Sequence, residues 1–170
     1  MKTRNAFVTL AICVLLVFTT TLFVNQHKVS AQPITNCRKI VTGTYLTTTN
    51  SGEFGSFRGL ATYTQDGNFF FSSSNQGGSS NQPFSIVQGS WKCTSDTEIT
   101  ATALNFGYQT ATFPDVLTKS DFRATFDPEA ETVQATITAR AFDLNANPLV
   151  DDAPILGTFT VTGQRVIPGH

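Results

Sequence analysis

The sequence predicts an all-β domain, a single eight-stranded antiparallel up-and-down β-barrel, on the strength of three observations. After residue 31, apolar residues alternate with polar ones at a period of two, and no helical period lasts for more than one turn. Glycine, proline, asparagine and aspartate punctuate the alternating runs at short intervals, as in hairpin-connected strands. A meander of such strands has one apolar face, which a closed barrel buries without leaving a free edge.

The clearest alternation lies in the run TVQATITARAF. There Val133, Ala135 and Ile137 point to one face, whereas Thr136 and Thr138 point to the other. The runs DFRATFD and GTFTVTGQ repeat the same pattern. The apolar face is therefore predicted to be buried, and the face rich in β-branched threonine is predicted to be wet.

The predicted strands are taken in chain order. They lie at residues 40–49, 57–65, 68–73, 85–93, 97–107, 121–127, 132–142 and 156–167. No helix is needed. Asp66 and Gly67 form a two-residue hairpin signal, whereas residues 72–83 and the segments FPDVLTKS and LNANPLVDDAP are interpreted as long connections. A barrel of eight strands encloses packed side chains or one small ligand.

Residues 1–31 have the form of a secretory signal peptide, which leaves residues 32–170 as the barrel domain. A charged start precedes a mostly apolar stretch, and Val29, Ser30 and Ala31 offer a small-residue cleavage site. We therefore expect a secreted or periplasmic protein with no stable membrane insertion after cleavage. Retention of the segment as an anchor is the alternative.

The charge balance of the predicted mature chain argues against nucleic acid as a partner. Eight basic residues stand against twelve acidic ones after residue 31, a net charge of −4. A phosphate backbone needs a basic stripe, which this balance does not supply. The sequence carries no signal for an oligomeric state.

Two of the three cysteines, Cys37 and Cys93, fall in the predicted mature chain. An even pair of cysteines in an exported protein is typical of a disulfide. Closing the loop between these two cysteines stabilises the fold by roughly 4 kcal/mol, because the bond lowers the conformational entropy of the unfolded chain. Cys93 ends the stretch VQGSWKC, in which Trp91 shares its face. We interpret this stretch as scaffold, with Trp91 as a pocket wall as the alternative.

The sequence offers no residue set for common hydrolytic chemistry, so no catalytic residue, metal ligand or cofactor is predicted. His27 leaves with the signal and His170 is the last residue, which removes the usual proton shuttle. The segment DLNANPLVDD resembles a calcium loop, but Pro148 and Pro154 stand where that loop needs glycine and glutamate. The acidic residues lie mostly in turns and are interpreted as solvated.

Four stretches, GTYLTTT, YTQDGNF, GSWKCTSDTEITATA and GTFTVTGQRV, together resemble a family of small, mostly uncharacterised bacterial lipocalin-like barrels. The chain is also similar to the wider calycin group, in which a G-x-W on the first strand packs under an arginine from the last. That resemblance implies structural roles for Gly43, Tyr45 and Arg165, with tyrosine in the place of tryptophan. It implies the carriage of a small apolar molecule.

The first functional hypothesis is therefore a barrel that binds a small, mainly apolar ligand in its interior. The predicted ligand-lining residues are Phe57, Ala61, Tyr63, Trp91, Ile99, Phe122, Phe126, Ile137 and Phe159. A non-hydrolytic enzyme resembling allene oxide cyclase or dirigent barrels is the second hypothesis, and it requires a buried acid such as Glu98 or Tyr63. A structural or interaction module with a filled core is the third.

Arg123 and Arg140 lie on polar faces of the alternating runs. If those faces are outside, the two arginines are surface charges, which is the prediction. If the faces are reversed, the arginines line a polar cavity and orient an anionic ligand.

Overall fold

The chain forms a closed antiparallel barrel of eight strands, which confirms the predicted fold class. The computed structural model describes residues 35–52, 55–76 and 83–169. Each strand pairs with the next along the chain, and the last strand pairs with the first. The strands are Gly43–Asn50 (β1), Ser56–Tyr63 (β2), Asn68–Ser73 (β3), Val87–Cys93 (β4), Glu98–Gly107 (β5), Val116–Asp127 (β6), Thr132–Phe142 (β7) and Ile155–Arg165 (β8).

The alternation read from the sequence assigns the inner and outer faces correctly. Phe122 and Phe126 on β6 are buried, whereas Arg123 between them is exposed. On β4, Trp91 is buried and its neighbour Lys92 is exposed. The apolar faces therefore line the interior, and the threonine-rich faces form the outer wall.

A short helix precedes the barrel, and the prediction that no helix is needed was wrong. Residues Thr35–Val41 form α1, so the first strand begins at Gly43 rather than at residue 40. Cys37 and Val41, one helical turn apart, are fully buried, while Arg38 and Lys39 are exposed. A helix of two turns is too short for a helical period to stand out in the sequence. Tertiary packing supplies most of the stability of such a helix.

The sixth strand is longer than predicted, because the segment FPDVLTKS is only partly a loop. β6 begins at Val116, and its first residues pair with both neighbouring strands, as in Ser120 with Ala103 and with Ala139. Mixed polarity in this stretch hides the alternation. The β7–β8 ladder has a register shift between Ala139 and Arg140, the irregularity that a β-bulge produces.

The two ends of the barrel differ in construction. At the closed end, α1 lies beside the short hairpins β2–β3, β4–β5 and β6–β7, and β8 ends there. At the open end lie the connections β1–β2, β3–β4, β5–β6 and β7–β8. The predicted signal segment, residues 1–31, lies outside the described residues, as do residues 77–82 of the β3–β4 connection and His170. No helix in the described ranges has the length and hydropathy needed to cross a bilayer.

The predicted disulfide is confirmed and fastens α1 to the barrel. Cys37 on α1 and Cys93 at the end of β4 are bonded, with their Cα atoms 6.2 Å apart. The Arg38 guanidinium donates a hydrogen bond to the Gln65 carbonyl of the β2–β3 hairpin and lies 5.8 Å from the centre of the Trp91 ring. A covalent bond and a cation–π contact therefore hold the same short helix.

The interior next to α1 is filled by aromatic rings. Tyr63 is the centre of this group, because its ring packs at 5.0 Å to 6.2 Å, between ring centres, against Phe69, Phe126, Tyr45 and Trp91. Most of these pairs meet edge to face, the arrangement that the charge distribution of the rings favours. The Trp91 indole N–H donates to the Asn68 carbonyl at 3.1 Å. Trp91 of the stretch VQGSWKC thus lies in the packed core.

Arg165 on β8 lies over the ring of Tyr45, its partner across the β1–β8 ladder, at 5.5 Å from the ring centre. The guanidinium also donates to the Thr42 carbonyl. A Cβ atom on Gly43 would lie 2.8 Å from this guanidinium, so glycine makes room for it. The Tyr45 hydroxyl donates towards the carbonyls of Ile40 and Val41, at 3.2 Å and 3.3 Å. Tyrosine at this position therefore also binds the end of α1.

Candidate binding site at the open end of the barrel

The interior changes character towards the open end. Tyr63 and Phe126 near α1 are only 4 % and 2 % exposed, whereas the inward-facing Phe57, Phe71 and Phe159 are partly exposed. Strand geometry places all of these side chains on the inner face. Solvent therefore reaches the inner rings near the open end, whereas the rings beside α1 are shielded from it.

Glycine determines where two of these rings lie. A Cβ atom on Gly59 would be 2.3 Å from a ring carbon of Phe71, and one on Gly157 would be 3.0 Å from the ring of Phe159. Both rings thus occupy space that a larger residue would fill. The two glycines let aromatic surface spread along the inner wall near the opening.

One polar atom in this region has no partner. Thr49, near the end of β1, is 3 % exposed, and its Oγ1 atom makes no hydrogen bond with any described residue. Its neighbours across the ladders are the apolar Phe57 and Val161. Thr47, one inward position earlier, donates to the Gly59 carbonyl at 3.2 Å. A buried hydroxyl without a partner is costly, so Thr49 is a candidate hydrogen-bonding group for a bound molecule.

Exposed apolar side chains gather around the open end and form an apolar rim. Among the described residues, thirteen large hydrophobic side chains are exposed, and nine of them belong to this end of the barrel. The rim consists of Ile86, Phe106, Tyr108, Phe113, Leu144, Leu149, Val150, Ile155 and Leu156. Single exposed hydrophobic residues are ordinary, but a group at one site marks a surface that contacts something apolar.

The structure divides the nine predicted ligand-lining residues into two sets. Phe57, Ile137 and Phe159 face the interior and are partly exposed. The other six are buried among one another: Ala61, Tyr63, Trp91, Ile99, Phe122 and Phe126. The first set lies where a molecule entering from the open end would meet it, and the second forms the packed floor beneath.

Sequence reasoning missed Thr49, Phe71 and the apolar rim. Phe71 stands in the run NFFFSS, where three successive phenylalanines conceal which one points inward. In the barrel Phe69 and Phe71 face the interior and Phe70 faces solvent. The rim residues come from three separate connections and from the adjoining ends of β5 and β8, so no local pattern joins them.

The acid–base groups that a cyclase-like enzyme would need are not placed together in the interior. Glu98 is exposed on the outer wall of β5. Tyr63 is buried, and burial raises the pKa of its phenol far above the ordinary value, with a smaller contribution from Tyr45. Tyr63 is thus a neutral phenol that packs in the core.

Two side chains of the calcium-like segment accept hydrogen bonds within their own loop. An Asp151 carboxylate oxygen accepts from the Asn147 backbone N–H at 2.7 Å, and the Asn147 side-chain oxygen accepts from the Leu149 N–H at 3.1 Å. In the described part of the chain, no three histidine, cysteine, aspartate or glutamate side chains form a group that could hold a metal ion. These side chains shape the β7–β8 connection.

Comparison with known proteins finds no relative of this chain. No family model matches the sequence, and no curated protein or solved structure matches it. The functional argument therefore depends on the residues of this chain alone.

Proposed function

We propose that the protein is an extracytoplasmic barrel that binds a small, mainly apolar molecule at its open end. The observation that carries the proposal is the coincidence of the apolar rim with partly exposed inner rings at one end only. An apolar molecule seated there would cover surface that the fold leaves in water. Each Å² of apolar area removed from water is worth about 25 cal/mol.

The proposed ligand also carries a hydrogen-bonding group. The unpartnered Oγ1 of Thr49 lies between two apolar ladder partners, Phe57 and Val161. A ligand hydroxyl or carboxyl group that reached this atom would satisfy both partners. This favours an amphiphile, such as a long-chain alcohol or fatty acid, over a pure hydrocarbon.

The extracytoplasmic location is supported by two independent features. Residues 1–31 have the composition of a secretory signal, and the Cys37–Cys93 disulfide is a bond that persists in oxidising compartments. The same disulfide fixes the closed end while leaving the open end unconstrained by it.

Fluorescence of an apolar probe, N-phenyl-1-naphthylamine, tests the proposal on the purified protein. We expect the probe to brighten on binding, and a long-chain alcohol to displace it. Phe57→Ser should weaken binding roughly tenfold or more, because it removes inner apolar surface. Phe70→Ser is the matched control, since Phe70 is exposed on the outer wall of β3. Absence of probe binding, or an equal effect of both variants, would contradict the proposal.

The hydrogen-bonding part of the proposal has its own test. Thr49→Val keeps the shape of the side chain and removes the hydroxyl. We expect the variant to lose the preference, roughly tenfold, that the native protein shows for an alcohol over a hydrocarbon of equal length. An unchanged preference would assign the ligand's polar group to another partner.

A filled interaction module is the second candidate. The observation that favours it is the dense aromatic packing around Tyr63, together with the room that Gly59 yields to the ring of Phe71. In that case the apolar rim would contact a protein, and the probe would bind equally well to native protein and to Phe57→Ser.

A further inference from the structure

The outer wall of the barrel carries a depression that is separate from the open end. It has a volume of about 560 Å³ and crosses β4, β5, β6 and β7. Most of its lining side chains point away from the interior, because they alternate with the buried Trp91, Ala101 and Phe122. It is therefore a hollow on the outer surface, lined by charged and hydroxyl-bearing side chains, and not a cavity within the barrel.

Strand register arranges the lining in two parallel rows. The Lys92 row consists of Lys92, Thr100, Arg123 and Thr136, each directly across a ladder from the next. The Ser90 row consists of Ser90, Thr102, Asp121 and Thr138, joined in the same way. Since Lys92 and Arg123 stand two strands apart, their backbones are about 10 Å from each other.

The side chains of the Lys92 row have no polar partner among the described residues. None of its four side chains makes a hydrogen bond or ion pair with any residue in the described ranges. Lys92, Arg123 and Thr136 are exposed, and Thr100 is partly exposed. Two cations and two hydroxyls thus face one hollow with free hydrogen-bonding capacity.

The acid in the Ser90 row is already neutralised. Asp121 accepts a hydrogen bond from Thr102 at 2.6 Å and lies 3.5 Å from the Lys119 ammonium and 3.7 Å from the Arg140 guanidinium. Two cations therefore surround one carboxylate, which reduces its repulsion of an incoming anion. Arg140 also pairs with Asp152 at 3.4 Å.

This wall is more basic than the chain that carries it. Four of the eight basic residues after residue 31 lie on it: Lys92, Lys119, Arg123 and Arg140. Glu98 stands one row nearer the closed end and lines a smaller adjoining hollow of about 250 Å³, which it shares with Arg123. The charge of the main hollow is thus positive on a chain whose predicted mature form is negative.

We propose that this hollow binds an anionic saccharide, a sugar chain that bears carboxylate or sulfate groups. The free cations of the Lys92 row would contact the charged groups of alternate sugars, and the serine and threonine hydroxyls would contact the sugar hydroxyls. The two aromatic residues of the lining, Trp91 and Phe122, are buried, so the groups that select a ligand there are the exposed charges and hydroxyls.

Titration calorimetry on the purified protein tests this proposal with three tetrasaccharides: a galacturonic acid tetramer, a sulfated galactose tetramer and a neutral galactose tetramer. We expect one or both charged tetramers to bind, with affinity that falls as salt is raised, and the neutral one to bind at least tenfold more weakly. The two charged arms distinguish carboxylate from sulfate recognition. Equal binding of all three, or no binding of either charged tetramer, would overturn the proposal.

Variants that replace charged side chains by glutamine locate the site. Lys92→Gln with Arg123→Gln should lower the affinity roughly tenfold or more, because both charged contacts are lost. Arg58→Gln is the single-charge control for Arg123→Gln, since Arg58 is an exposed cation on β2, outside this wall. Glu98→Gln should strengthen binding about twofold, because it removes a nearby negative charge that repels the anionic ligand. An Arg58→Gln loss equal to that of Arg123→Gln would overturn the assignment to this wall.

Discussion

The two ends of this barrel solve the same packing problem in different ways. At the closed end, a disulfide, the cation–π contact of Arg38 with Trp91 and the hydroxyl of Tyr45 hold α1 beside a group of packed aromatic rings. At the open end, inner rings are partly exposed and the apolar rim lies in solvent. The difference predicts that the closed end contributes more to stability than the open end, where the proposed binding site lies.

Removal of the disulfide is expected to have the largest effect. The double variant Cys37→Ser with Cys93→Ser should lose roughly 4 kcal/mol of stability, because the unfolded chain is freed from a closed loop. Urea unfolding, monitored by Trp91 fluorescence, measures the loss. Reduction of the native protein provides the matching control, and an unchanged midpoint in either experiment would show that α1 is held by packing alone.

Truncation of one phenylalanine at each end compares the ends directly. Phe126→Ala should cost about 3 kcal/mol, because Phe126 is 2 % exposed and its truncation leaves a cavity among rings. Phe57→Ala should cost about 1 kcal/mol, because its side chain is partly exposed. Equal losses of unfolding free energy would mean that the open end is packed as tightly as the closed end.

Alkaline pH should weaken the closed end selectively. Burial raises the pKa of Tyr63, and burial also raises that of Tyr45, partly opposed by Arg165. An unfolded tyrosine loses its proton near pH 10, whereas the folded phenol keeps it, so stability is full below that pH and declines above it. The decline is about 1.4 kcal/mol per pH unit for each tyrosine.

Urea titrations at a series of pH values up to about 11 measure this slope. Tyr63→Phe should make the slope shallower by the share of one tyrosine, although the variant loses no apolar packing. A slope that is the same in the native protein and in the variant would contradict a neutral, buried Tyr63.

Changes to the apolar rim should have the smallest effect on stability. Leu149→Ser with Val150→Ser removes side chains that are 68 % and 78 % exposed. The free energy of unfolding should therefore change by no more than about 0.5 kcal/mol, with a correspondingly small shift of the melting temperature. Differential scanning calorimetry measures it. A loss as large as that of Phe126→Ala would place these residues in the packing of the barrel rather than on a free surface.

The sequence predicted the strands and their faces well, because alternation is a local signal. The faces of β4, β6 and β7 follow from VQGSWKC, DFRATFD and TVQATITARAF, and the Cys37–Cys93 pair follows from counting. The start of β6 was missed because Val116–Ser120 mixes polar and apolar residues on both faces. Phe71 was missed because a run of three phenylalanines has no alternation to read.

By itself the sequence determined that this chain is an eight-stranded barrel with an apolar interior, since the period of two is written residue by residue. Only the tertiary structure decided what closes the barrel and what remains open. α1 is too short to show a helical period and exists through its contacts with Cys93, Trp91 and Tyr45. Likewise, strand register places Lys92, Thr100 and Arg123 in one row across three strands. Closure of the barrel brings the residues of the apolar rim to the same end. Such contacts join residues far apart in the chain, and no local pattern encodes them.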